Sequence, residues 1–285
     1  MVTYTYRTLF TELVRMLRSA GIPDEKQEAA FLLEHLTGRE LPRLLMEGDT
    51  PALPSVQTQA LALCRKRASG YPLQYLLGEW DFFGLTFSVG EGVLIPRGDT
   101  ETLVETALRL RKAEPSTRMV DLCSGSGCIP AAIANHLSGV TGYALEKSPD
   151  AMMYLKRNLG RLAPSIRPVL CDVCLPETAA AYTELDLITA NPPYLTPEDM
   201  QQLQREVTFE PALALLGGKD GLDFYRQITA VWKFALKKGG WLLFEVGMGQ
   251  HEDVEKILHS HGFDAVSSVQ DLAGIFRVVM GKRSV

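Results

Sequence analysis

The sequence has no unbroken apolar run of the ~18 residues that a membrane-crossing helix requires. Its first stretch, Met1 to Arg18, is amphipathic and carries charge throughout, so it does not read as a secretory leader. Cysteine is sparse and odd in number: Cys64, Cys123, Cys128, Cys171 and Cys174 are scattered through 285 residues, which argues against a disulfide framework. Only Cys171 and Cys174 share C-x-x-C spacing, with no second pair and no histidine at ligand distance, so no metal site is expected. His35, His136, His251, His259 and His261 likewise show neither ligand nor catalytic spacing. A basic surplus is also missing. The formal charge of −5 speaks against duplex nucleic acid as the main partner, because neutralising phosphates supplies most of such affinity. These absences leave a reducing, cytoplasmic setting as the default expectation.

What is present is ordinary for a globular chain: 46% apolar and 22% charged residues, enough for one large domain or two modest ones. The first part reads as helical. Leu9, Phe10, Leu13 and Leu17 recur at helical spacing up to Gly21; Asp24 is placed to cap a second helix through Ala29, Ala30, Leu33 and Leu36, closed by Gly38. A third helix is expected from Ser55 to Ala68. Strand-like alternation is missing before Trp80, where Phe82, Phe83, Leu85, Phe87 and Val89 around Gly84 predict a β-hairpin. The expected organisation is therefore a helical domain over 1–79, a hairpin connector over 80–99 and an α/β domain over 100–285. In the last of these, strands are predicted at Arg118–Cys123, Val140–Glu146, Pro168–Cys171, Leu185–Ala190, Trp241–Val246, Phe263–Val269 and Phe276–Met280. Helices between most of them imply a mostly parallel, doubly wound sheet, with chemistry beyond the carboxyl ends of the strands. Lys237-Lys238-Gly239-Gly240 reads as a helix C-terminus, and Trp232 and Trp241 as core.

After the first of these strands comes Asp121-Leu122-Cys123-Ser124-Gly125-Ser126-Gly127, whose glycines suit a tight turn under a ligand. The second strand ends at Glu146, where a carboxylate can accept ribose hydroxyls, and the third at Asp172. Ser148-Pro149 opens the following helix. Three carboxylates at successive strand ends describe an acidic nucleoside pocket. Pro130 replaces the third small residue of the dinucleotide fingerprint, and an acidic pocket suits a cationic sulfonium, so S-adenosylmethionine is favoured over a pyrophosphate cofactor.

The fourth strand runs into Asn191-Pro192-Pro193-Tyr194, with Thr196-Pro197 read as a helix start. Two prolines remove two N–H donors and restrict Asn191 to extended conformations. Its side-chain oxygen and the neighbouring carbonyls are left to accept hydrogens from a planar substrate –NH₂, whose delocalised lone pair makes it a poor nucleophile. Tyr194 is placed to stack on such a group.

With these motifs the chain resembles the protein-(glutamine-N5) methyltransferases that act on peptide-chain release factors. The likeness is carried by Ala68–Gly78, Phe82–Phe87, Leu94-Ile95-Pro96-Arg97-Gly98-Asp99-Thr100-Glu101, Glu210–Leu215, Gly217–Arg226, Glu245-Val246-Gly247 and Gln250. It implies a seven-stranded methyltransferase sheet and a helical domain that helps hold the release factor. The implied substrate is the glutamine of a Gly-Gly-Gln loop, and S-adenosyl-L-methionine is converted to S-adenosyl-L-homocysteine. By position it assigns Cys123, Ser124, Gly125, Ser126, Gly127, Glu146, Asp172, Val173 and Asn191 to the cofactor. Asn191, Pro192, Pro193 and Tyr194 fall to the substrate amide, and Arg97 and Thr100 to the lining of the site. A monomer with no nucleic-acid or membrane partner is expected. Three departures stand out: Gly98 for proline, Cys123-Ser124 for glycine and threonine, and Ile275-Phe276 for a polar pair. An adenine-N6 methyltransferase faces the same planar amine and is the alternative, though it would need a basic channel. A binding module without catalysis is the other reading.

Overall fold

The computed structural model describes residues 4–46 and 50–284; Met1 to Thr3 of the N-terminal stretch lie outside the described residues. The chain divides into two compact units. One comprises residues up to Gly78 together with Gln204–Phe209, the other Glu79–Leu203 and Glu210 onward.

The first unit is helical: α1 (Tyr6–Ser19), α2 (Glu25–Thr37), α3 (Leu41–Met46), α4 (Pro54–Ala68) and α5 (Leu73–Leu77). Thr5 and Thr8 close a reciprocal capping box at the start of α1, each hydroxyl accepting the other's backbone N–H. Leu9, Leu13 and Leu17 then face a core with Leu32, Leu33, Leu44, Ala60 and Cys64, all fully buried. Asp24 precedes α2 but does not cap it with its side chain. Its φ of 54° is left-handed, whereas a side-chain cap needs the extended backbone that turns the carboxylate back over the first turn. Gly38, at φ 65°, ends the helix as expected. The short α3 and α5 escaped the periodicity because neither is long enough to show one.

Arg67, 1% exposed, fastens the returning segment 204–209 into this unit. Its guanidinium meets Glu28 at 2.5 Å and Glu206 at 2.6 Å, and it also donates to the Tyr71 carbonyl. Tyr71 packs edge-on against Phe209, ring centroids 5.2 Å apart. Removing one partner of a buried pair costs far more than the pair contributes. Arg67→Ala is expected to lower unfolding free energy by about 3 kcal/mol in urea titration.

The second unit opens with a hairpin, β1 (Glu79–Phe82) and β2 (Leu85–Ser88). Its two-residue loop, Phe83-Gly84, has φ of 51° and 74°, as a type I′ turn demands. The sheet follows: α6 (Glu101–Arg111), β3 (Thr117–Leu122), α7 (Cys128–His136), β4 (Val140–Glu146), α8 (Pro149–Leu162), β5 (Ile166–Leu170), α9 (Pro176–Ala180), β6 (Leu185–Ala190), α10 (Asp223–Trp232), β7 (Leu236–Glu245), α11 (His251–Ser260), β8 (Phe263–Gln270) and β9 (Phe276–Arg283). Strand order is β5-β4-β3-β6-β7-β9-β8, parallel except for β9, which runs antiparallel to both neighbours. Successive residues alternate between two cores. Met119, Leu187 and Leu243 pack with α6, α7 and α8; Val120, Ile188 and Leu242 pack with α9, α10 and α11. Being covered on both faces, β6 is buried at every position. The order reverses between β3 and β6, and the cleft of such a sheet lies there.

Two expectations are corrected here. Lys237-Lys238-Gly239-Gly240 lies inside β7 rather than at a helix end. Leu236 already pairs with Leu185, and the register slips before Leu187 meets Trp241, so these residues form a bulge with Gly239 at φ 77°. The helix read from Thr196-Pro197 is only a 3-10 turn at Asp199–Gln201. Thr196 and Asp199 do satisfy each other reciprocally, but no residue from Leu195 to Gln204 is fully buried, so no apolar face holds a helix.

Candidate active site

The loop after β3 turns through three left-handed residues, Cys123 (φ 56°), Gly125 (φ 53°) and Gly127 (φ 81°). Glycine tolerates this; a cysteine at Cys123 carries the Cβ conflict of that region. The Ser124 hydroxyl donates to the Asp121 carbonyl, and Ser124 N–H to Leu145 on the next strand. At Gly127 a Cβ would stand 2.7 Å from Leu155 of α8, so close helix packing requires glycine. Asn158, fully buried on α8, ties the hairpin to this loop. It accepts Ser88 N–H and donates to the carbonyls of Ser88 and Ser126.

Glu146 stops β4 against the same loop. One carboxylate oxygen accepts Gly125 N–H at 2.8 Å; the other accepts Lys147 and Ser148 N–H, each at 2.8 Å. These use three of roughly four lone-pair positions and leave room for a ligand hydroxyl. Ser148 caps α8 through Ala151 N–H, with Pro149 in the first turn, as expected. Asp172 accepts Cys174 N–H at 2.9 Å and pairs with Lys147 at 2.7 Å. Burial pushes its carboxyl up, but Lys147 and Cys174 outweigh this and hold it below the usual range.

Asp121, the third acid of the expected pocket, does not reach it. It is fully buried, accepts the Thr189 hydroxyl at 2.6 Å, and leaves its second oxygen unpartnered. Strand alternation explains the difference: Asp121 lies within β3, one residue short of its end. Desolvation pushes its carboxyl up to about 7.

Asn191 continues directly from β6, and its amide donates to the Thr100 hydroxyl at 3.4 Å. Since the two prolines behind it have no N–H, neighbouring chain holds the loop. Leu195 and Leu216 form a short parallel bridge, Leu195 N–H donating to Leu215 and Gly217 N–H to Leu195. Gln250 donates to the Tyr194 carbonyl at 3.0 Å and accepts Gly247 N–H at 3.0 Å. A Cβ on Gly217 would lie 2.6 Å from Tyr194 Cα, and one on Gly221 2.3 Å from Tyr194 O, so these glycines let two backbones touch.

The loops enclose an open cleft of about 900 Å³. Among the expected residues it is lined by Arg97, Thr100, Cys123, Ser124, Gly125, Ser126, Glu146, Asp172, Val173, Asn191 and Pro193. Gly127, Pro192 and Tyr194 are not in the lining. Tyr194 packs into the core cluster beside α10, where burial pushes its phenol up to about 12. It braces the loop rather than facing the cleft.

Several residues without an expected role prove to hold the site. Glu210 has a buried side chain, accepts Ile95 N–H at 3.1 Å and pairs with Arg97, fixing the lead-in segment beside Pro211, Leu213 and Ala214 of the lining. Lys147, Asn158 and Gln250 act similarly on their own loops. Glu210 and Gln250 lay within the quoted family segments, but a single carboxylate or amide gives no local sign of its partner. At Gly98 a Cβ would meet nothing within 4 Å, so packing does not demand glycine there. Phe276 stacks on His251, centroids 4.1 Å apart, while Arg277 joins Asp99 and Asp271. Among the described residues no cluster of His, Cys, Asp or Glu is arranged to hold a metal ion.

This sheet order, with its cleft at the reversal between β3 and β6, is a methyltransferase fold. The hMettl16 catalytic domain bound to a MAT2A 3′UTR hairpin superposes with a TM-score of 0.57 over 83% of this chain and 85% of that one, at 16% identity. A methyltransferase from Pyrococcus furiosus gives 0.51 over 80% of this chain and 98% of its own, at 14% identity. Sequence relatives go further. Residues 8–78 match the PrmC N-terminal domain family. The release factor glutamine methyltransferase of Geobacter sulfurreducens is 39% identical over 93% of this chain and 92% of its own. That of Xylella fastidiosa (strain 9a5c) is 35% identical over 94% and 97%. The chain belongs to the release factor glutamine methyltransferase family and is an enzyme of that class.

The buried acid gives a pH signature. Asp121 keeps its proton in the folded state up to about pH 7, whereas unfolded it ionises near 3.8. Its contribution is thus fully present below about pH 4 and is lost as pH rises toward 7. Asp121→Asn is expected to raise the melting temperature by several degrees at pH 8 and to leave it unchanged at pH 4, as calorimetry would read.

Proposed function

We propose that this enzyme transfers a methyl group from S-adenosyl-L-methionine to the side-chain amide nitrogen (N5) of the glutamine in the Gly-Gly-Gln loop of peptide-chain release factors, leaving S-adenosyl-L-homocysteine. The observation that carries the reading is Asn191, which follows β6 directly and lines the same cleft as Glu146. The residues present fit the cofactor. Cys123 to Ser126 form a tight turn along the cleft wall, Glu146 keeps acceptor capacity for ribose hydroxyls, and Ile129, Ala151, Val173 and Phe224 supply apolar walls for a flat base. Glu146 places an unneutralised carboxylate in the cleft, while Asp172 is balanced there by Lys147. Bound there, the cofactor supplies an electrophilic methyl group on a positively charged sulfur.

The chain's own residues do the rest. The side-chain oxygen of Asn191 and the carbonyls of Asn191 and Pro192 accept the hydrogens of the substrate amide, because the following prolines leave no competing donors. Holding that group planar and oriented favours the charge that develops on nitrogen as it attacks. As that nitrogen takes the methyl carbon it gives up one of its two protons to solvent water, while the electron pair of the broken sulfur–carbon bond would stay with the cofactor, so the product amide is neutral. Arg97 and Thr100 bound the substrate side, and Pro193 shapes the wall. The helical unit contributes to holding the release factor. The enzyme acts as a cytoplasmic monomer without a nucleic-acid partner. Among the described residues no helix is long and apolar enough to cross a membrane.

A transfer assay with methyl-labelled S-adenosylmethionine tests this against three acceptors: a release factor, its Gly-Gly-Gln→Gly-Gly-Ala variant, and duplex DNA. Label on the intact factor alone, mapped to that glutamine, is expected; label on DNA would replace the proposal with the adenine reading. Asn191→Ala should fold and bind cofactor while turnover falls on the order of 10²-fold, the size of losing one oriented polar contact. Glu146→Ala should instead weaken cofactor affinity on the order of 10-fold in calorimetry, as losing a charged hydrogen-bond acceptor does.

A further inference from the structure

Gln250 stands between β7 and α11, outside the lining of the cleft. It directly precedes α11, where short polar side chains commonly cap a helix, yet its own side chain makes no cap. It reaches instead to neighbouring loops. Oε1 accepts Gly247 N–H at 3.0 Å, with the Tyr225 hydroxyl 3.5 Å away. Nε2 donates to the Tyr194 carbonyl at 3.0 Å and lies 3.5 Å from the Gly221 carbonyl. The backbone is tied to the same turn, Gln250 N–H donating to the Gly247 carbonyl at 3.1 Å. Glycine makes the space for this amide: a Cβ on Gly221 would stand 2.6 Å from Nε2, and one on Gly247 2.8 Å from Oε1.

A side-chain amide has two chemically opposite ends of nearly equal shape, and its surroundings decide which faces where. Here backbone groups decide both, since an N–H only donates and a carbonyl only accepts. Asn191, Pro192 and Pro193 lie between Ala190, the last residue of β6, and Tyr194, and the two prolines have no N–H with which to fasten themselves. The carbonyl held by Gln250 is two residues beyond that of Pro192. We propose that Gln250 is a positioning residue for methyl transfer, which through the Tyr194 carbonyl sets the place of the Asn191 side chain and the Pro192 carbonyl in the cleft, an inference that rests on the glutamine-amide reading above. The groups it touches belong to the loops after β6 and β7 and to the 217–221 segment, not to the loops of Glu146 and Asp172. Its effect therefore falls on turnover and not on cofactor affinity.

Two variants test this in the full-length enzyme. Gln250→Glu keeps the length and an acceptor for Gly247 N–H, but sets a second acceptor against the Tyr194 carbonyl. Gln250→Met keeps the bulk with neither charge nor hydrogen bond. With saturating methyl-labelled S-adenosylmethionine and release factor, each is expected to show a kcat lower on the order of 10²-fold, the size of a misplacement of about 1 Å. Cofactor affinity in calorimetry should be unchanged. A side chain that only stabilises the fold would lower the melting temperature and leave the kcat of the folded enzyme intact. Normal turnover in either variant would overturn the proposal: in Gln250→Met it would assign the effect to the added charge, in Gln250→Glu to the Gly247 contact alone. A loss confined to cofactor affinity would overturn it as well. Should one variant not fold, the other decides; should neither fold, Gln250 is a residue of the fold and the positioning role falls. If the unaltered enzyme puts no label on the release factor, or Asn191→Ala is as fast as the wild type, the amide reading falls and this inference with it. If Asn191→Ala is slow and the Gln250 variants are not, only the positioning role falls.

Discussion

Two adjacent prolines at the end of a central strand impose the constraint around which the rest of the site is built. Pro192 and Pro193 have no N–H to offer, so the chain beyond β6 continues neither as strand nor at once as helix. What such a segment gains is a row of free acceptors; what it lacks is any way to hold itself. The support comes from outside. Leu195 pairs with the 215–217 segment, Gln250 takes the Tyr194 carbonyl, Tyr194 packs its ring into the core, and Thr100 receives the Asn191 amide. The glycines at 217 and 221 follow from the same need, since any side chain there would occupy the space of the loop backbone.

A second theme is the use of buried acids as acceptors rather than as charges. Glu146 gathers three backbone N–H groups and thereby sets the distance between two loops. Glu210 does the same for Ile95 and Arg97. In each case the carboxylate selects donors from its neighbours, so it fixes which way they point as well as where they are. Asp121 differs: with one partner and no exposure it is pushed toward its neutral form and belongs to the core of the sheet.

Much of this was legible in the sequence wherever the signal was local. The strand-helix alternation, the turn glycines and the Asn191–Tyr194 tetrapeptide each carry their own periodicity or backbone restriction, and the seven-stranded sheet follows from them. What failed were inferences in which tertiary context overrides a local sign. Lys237–Gly240 has the composition of a helix end, yet pairing with Leu185 draws it into β7. Asp24 is a capping residue by type, but its left-handed backbone removes the geometry. Asp121 stands near a strand end in sequence, yet alternation turns it inward. Gln204–Phe209 joins the helical unit although the chain on either side belongs to the sheet, because Arg67 binds Glu206. No single-sequence pattern reports a partner 139 residues away.

The central claim is that Asn191 receives the substrate amide beside the cofactor. The most direct measurement is a crystal structure of the enzyme with S-adenosylhomocysteine and a peptide containing Gly-Gly-Gln. The account predicts the ribose on Glu146 and the glutamine amide nitrogen within hydrogen-bonding distance of Asn191 Oδ1 and the Pro192 carbonyl. A glutamine held elsewhere, or Asn191 presenting its –NH₂ to the substrate, would contradict it.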